Sequence, residues 1–86
     1  MKIEVTQKDI DLGVPEDTCN CPVARAAKRV LGARRYPFLE VSDERIYLHS
    51  GWWEGKPLPE DARQFIRDFD RGWTVEPFTF SLEETA

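Results

Sequence analysis

Apolar and polar positions along this chain repeat with two different periods, and the switches between them divide it into elements. From Lys2 to Thr6, "KIEVT" alternates residue by residue, which puts Ile3 and Val5 on one face of a first strand. "TQKDIDLG" then reads as a single capped turn, with Thr6 as cap and Gly13 as stop, and "VPED" as loop. At Pro22 the period lengthens: Val23, Ala26, Ala27, Val30 and Leu31 recur at helical spacing, and Arg25, Lys28 and Arg29 share the opposite side. Gly32 is the expected left-handed stop of that helix.

"FLEVS" and "RIYLHS" return to alternation and are joined by "SDE", the pattern of a hairpin. Leu39, Val41, Ile46 and Leu48 then face inward, and Phe38, Glu40, Arg45, Tyr47 and His49 face out. After the loop "GWWEGKP", the run "LPEDARQFIRDFDRG" carries Leu58, Ala62, Phe65, Ile66 and Phe69 on one stripe, with acids in the first turn and Gly72 as terminator. Trp73, just beyond it, is expected in the core. "TVEPFTFSL" sets Phe78, Phe80 and Leu82 on one side of a last strand, and Pro77 assigns that strand to a sheet edge. Residues 83–86 read as a frayed tail.

The order β-α-β-β-α-β predicts a single α+β domain over residues 1–86. Its expected form is one four-stranded antiparallel sheet with two helices on one face, in the ferredoxin-like strand order 4-1-3-2. A different antiparallel order of the same elements is the alternative.

Composition narrows what such a domain does. Of 86 residues, 41% are apolar and 33% charged with both signs mixed, which supports a folded core rather than disorder. No apolar run approaches the roughly 18 residues of a membrane span, and "MKIEVTQKDI" lacks the apolar centre of a signal peptide. A cytoplasmic, non-membrane protein is therefore expected, and its two cysteines as thiols. The net charge of -4 opposes generic attraction to phosphate backbones, so nucleic acid is not the expected partner.

Cys19 and Cys21 flank one asparagine at the start of the first long helix. As metal ligands they are weak candidates, because His49 is the chain's only imidazole and a structural zinc site takes four protein ligands. The predicted fold also sets Cys21 and His49 at opposite ends of strands about 17 Å long, too far for a shared metal or a Cys-His nucleophile. Pro22 suits the first helical position and puts Cys21 at the cap. There the thiol either tucks into the core as a weak cap, or is activated by the helix dipole and Arg25.

No glycine-rich phosphate loop, nucleophile elbow or paired-histidine zinc motif is present, so neither enzyme activity nor a cofactor is expected. The stronger binding candidates are Trp52 and Trp53 in a glycine-bounded loop, with Tyr47 on the sheet face that the helices leave open. Trp53 folding back to seal the core edge is the alternative for that residue. Arg25, Lys28 and Arg29 form a second candidate surface, suited to an acidic partner. An aromatic sheet face is also the platform on which RNA-recognition modules stack bases, although strand one here offers Lys2, Glu4 and Thr6 outward.

"DIDLG", "CNCPVARAAKRVLG", "LPEDARQFIRDFDRG" and "VEPFTFSL" together resemble small uncharacterised proteins encoded by phages and prophages. The resemblance spans most of the chain and carries over no functional residues. It implies a setting in which proteins of this size often inhibit a host system, anti-CRISPR and other anti-defence proteins among them, by binding a host protein. The expected activity is accordingly non-enzymatic protein binding, with a thiol- or metal-dependent role for Cys19 and Cys21 as the alternative and homodimerisation left open.

Overall fold

The computed structural model describes residues 1–49 and 55–82. In them the chain forms β1 (Lys2–Val5), α1 (Gln7–Leu12), α2 (Pro22–Leu31), β2 (Glu40–Val41), β3 (Arg45–Tyr47), β4 (Lys56–Pro57), α3 (Glu60–Asp70) and β5 (Phe78–Ser81). The class is mixed α+β, as the periodicity indicates. The expected single four-stranded sheet, however, is replaced by two small antiparallel sheets, one of β1 and β5 and one in the order β2-β3-β4.

Two of the expected strand pairings are present. β1 and β5 pair from Lys2↔Ser81 to Val5↔Phe78, and β2 and β3 pair at Glu40↔Tyr47 and Val41↔Ile46. What fails is the joint between them, because the edge of β3 that would meet β1 is already taken. Lys56 and Pro57, which show no alternation of their own, pair there with Ile46 and Arg45. The outer edge of β2 is also engaged, since the Val41 amide donates to the Thr18 carbonyl at 2.8 Å. The edges of the β2-β3 hairpin are thereby occupied by backbone hydrogen bonds that sequence alternation does not announce.

Local chemistry sets the helix ends. Thr6 caps α1 in a capping box: its hydroxyl accepts from the Asp9 amide at 3.2 Å, and the Asp9 carboxylate accepts from the Thr6 amide at 2.9 Å. The anticipated single turn thus extends to a third helix. α2 starts at Pro22 with Cys21 as N-cap and stops at Gly32, whose φ of 101° falls where a side chain would be strained. α3 closes in a Schellman motif, with the Trp73 amide donating to the Asp68 carbonyl at 2.9 Å and the Gly72 amide to that of Phe69 at 3.0 Å.

α2 lies against β1, β2 and α1. Its Val23, Ala24, Ala26 and Ala27 are wholly buried, and the three small alanines let the helix backbone approach both sheets. The core continues through Ile3, Val5, Leu39, Val41, Ile46, Ala62, Phe65, Ile66 and Phe80. Phe65, Phe78 and Phe80 form a contiguous aromatic row, with centroids 4.7 and 5.7 Å apart. Two expected core residues lie outside. Val30 is 41% exposed at the end of α2, and Trp73 is 58% exposed. The Schellman turn carries Trp73 past the end of α3, where the Arg71 guanidinium sits 5.2 Å from its ring.

Candidate functional site

Because β2 and β3 alternate, one face of their hairpin is committed to the core by Leu39, Val41 and Ile46, and the other is left to solvent. The Ser42 hydroxyl fixes the connecting turn by accepting from the Glu44 and Arg45 amides at 3.1 and 2.9 Å. On the outward face, Tyr47 stacks on His49 with centroids 5.9 Å apart and planes at 21°. His49 Nε2 lies 3.1 Å from Glu40 Oε2, so the strand opposite holds the ring from its other end. His49 has a φ of 55°, a left-handed conformation that turns the chain out of β3. Phe38, in the turn two residues before Glu40, is 71% exposed.

Tyr47 is thus placed where the alternation puts it, half-buried on the open face. Trp52 and Trp53 lie outside the described residues, between β3 and β4 in the sequence. Phe38 belongs to the outward set by the same alternation. Its exposure is a tertiary fact that periodicity does not carry.

The second candidate surface is tied inward. Arg29 donates from Nη1 to Asp9 Oδ1 at 2.7 Å and from Nη2 to Asp9 Oδ2 and the Glu4 carbonyl, both at 2.8 Å. Lys28 Nζ donates to the Cys19 carbonyl at 2.8 Å, and Arg25 Nε stands 3.7 Å from Asp9 Oδ1. Asp9, fully buried, holds Arg29 and stands near Arg25, whereas Lys28 is tied to the Cys19 carbonyl. Burial would raise its carboxyl, but the hydrogen bonds from Arg29 and Thr6 and the charge of Arg29 outweigh that and hold it below the ordinary value. The T-x-x-D spacing from Thr6 signals Asp9 as a capping residue; its link to Arg29, twenty positions away, has no local signature.

Cys21 performs the capping role expected of it, its Sγ accepting from the Ala24 amide at 3.4 Å. It is only 3% exposed, and burial pushes its thiol up to about 11. The helix-terminal amides pull the other way and are outweighed, and Arg25, the expected activator, is turned toward Asp9. Cys19 is half-buried, and both thiols are free. Asp17 holds the loop before them, its Oδ1 accepting from the Cys19 and Asn20 amides at 3.0 and 3.1 Å. Among the described residues, no three His, Cys, Asp or Glu side chains converge as a metal site would need. No helix among them is long and apolar enough to cross a membrane.

No protein-family model matches the chain, and comparison with curated proteins and with solved structures returns no match.

Proposed function

We propose that this chain is a non-enzymatic protein-binding module, and that its contact surface is the outward face of the β2-β3-β4 sheet with the adjoining loop. The observations that carry the proposal are the exposure of Phe38 just before β2 and the Tyr47, His49 and Glu40 cluster on the outward face of the sheet. An aromatic ring left in water forgoes about 1–2 kcal/mol of burial, which contact with a partner recovers. Tyr47 and His49 are already held in place, so little side-chain entropy is lost when they are covered. Trp52 and Trp53 follow β3 closely in the sequence, and tryptophan and tyrosine are among the residues most enriched at binding hot spots.

The thiol alternative finds less support, because a nucleophile must ionise near neutral pH and reach its target. Cys21 does neither well. The phage resemblance directs the choice of partner toward host defence proteins in the cytoplasm, bound as an inhibitor would bind them. Affinity capture with the full chain tests the reading. Phe38→Ser should lower recovery of the partner at least tenfold while leaving the thermal transition in place, and unchanged recovery by Phe38→Ser and Tyr47→Ala together would remove this face from consideration.

A further inference from the structure

Away from the sheet face, α1, α2 and the loop before α2 enclose a cleft of about 420 Å³. It is lined by Lys8 from α1, Cys19 and Asn20 from the loop, and Arg25, Lys28 and Arg29 from α2, with Asp9 beneath them. Four of the chain's twelve cationic side chains therefore line one cleft, in a molecule whose net charge is -4. Such a convergence works against like-charge repulsion, which a bound anion relieves.

Asp9 supplies part of that compensation, but Arg29 consumes it. The Asp9 carboxylate takes both Arg29 nitrogens and the Thr6 amide, and only 1% of its side chain is exposed. Arg25 stands beyond hydrogen-bond distance of it at 3.7 Å. Among the described residues, Arg25 Nε is shielded from solvent and has no hydrogen-bond partner. Lys28 gives the Cys19 carbonyl one bond and keeps two of its three ammonium protons for another acceptor. Lys8, exposed on α1, adds a third charge with no fixed geometry.

From this arrangement we infer that the cleft is a binding site for the phosphate group of a small ligand, held by Arg25, Lys28 and Lys8. A guanidinium fork matches the oxygens of a phosphate in plane, and the ammonium groups supply point charges on either side. The volume lies within the range of small-molecule sites. Arg29 is the positioning residue, because by neutralising Asp9 it stops the carboxylate from repelling the incoming anion. This inference is independent of the sheet-face reading, since no residue is shared between the two surfaces.

Titration of the ¹⁵N-labelled full chain at pH 7 with inorganic phosphate and, separately, with ribose 5-phosphate tests it, against sodium chloride at equal ionic strength. Saturable shifts at Lys8, Cys19, Asn20 and Arg25 are expected. Tighter binding of the sugar phosphate identifies a phosphomonoester, and equal binding identifies free phosphate. Arg25→Gln and Lys28→Gln should each weaken binding about tenfold, whereas Arg34→Gln, outside the cleft, should not. Lys8→Gln, at an exposed site, tests the cleft without disturbing the fold and should weaken binding by a smaller factor. Shifts that stay linear and match those with chloride would overturn the proposal, as would phosphate binding unaltered in all three cleft variants.

Discussion

Arg29 grips the buried carboxylate of Asp9 with two guanidinium nitrogens at 2.7 and 2.8 Å, and so joins α2 to the first turn of α1. Arg29 remains about half exposed whereas Asp9 is not exposed at all, so the two sides of the pair are not equivalent. Removing the cation strands a charge in the interior; removing the carboxylate leaves a cation that water can reach. Arg29→Met should therefore cost more stability than Asp9→Asn, with about 3 kcal/mol for the former and about 1–2 kcal/mol for the latter. Urea denaturation of the two variants checks the ranking, and a reversed order would show that the pair is not what holds α1 in place.

The same pair governs acid stability. Asp9 has a folded-state pKa below its unfolded value of 3.8, so its contribution is present above that value and is lost as pH falls through the folded one. Thermal unfolding followed from pH 6 to pH 2 should show a midpoint that drops chiefly below about pH 4. In Asp9→Asn that acid limb should flatten. An equally steep limb in the variant would assign acid sensitivity to other carboxylates.

Cys21 has the opposite sign. Its thiol is raised from 9.0 to about 11 by burial, so the stability it contributes is complete below pH 9 and is lost as pH rises toward about 11. In the native protein at pH 8, a disulfide reagent such as dithionitrobenzoate should modify Cys19 and leave Cys21 protected until the chain unfolds. Two thiols reacting at one rate would contradict the buried cap.

Gly13 is required by space rather than by dihedral angle. A Cβ at this position would meet Pro22 Cδ and Cγ at 2.6 Å and the Asp9 carbonyl at 2.8 Å, contacts that two fixed groups cannot relieve. Gly13→Ala should destabilise the fold by about 1–3 kcal/mol, measured by the same urea titration. A neutral effect would mean that α1 and α2 are free to move apart.

Such contacts also explain what the sequence discloses and what it withholds. The start of α2 is legible at Cys21 and Pro22 and its end at Gly32, because capping depends on residues within one turn of one another. The β1 and β5 pairing follows from alternating Ile3, Val5, Phe78 and Phe80, four apolar side chains that need a shared face. Lys56 and Pro57 carry no such pattern, and the strand they form exists only because β3 presents an unpaired edge. The Asp9 to Arg29 bond likewise depends on how two helices cross. Of the binding candidates, Tyr47 is recognisable from period two alone. Arg25, Lys28 and Arg29 are recognisable as a cationic stripe, but the buried carboxylate that Arg29 grips and Arg25 approaches is visible only in three dimensions.

The central claim is that the outward face of the β2-β3-β4 sheet engages a protein partner. Its most direct test is quantitative affinity capture from the native host, comparing the wild-type chain with Phe38→Ser and with a Trp52→Ala, Trp53→Ala double variant, each first shown to unfold with the wild-type thermal midpoint. The account predicts one partner recovered by the wild-type chain and reduced at least tenfold by both variants. Recovery of that partner at wild-type levels by both folded variants would contradict it.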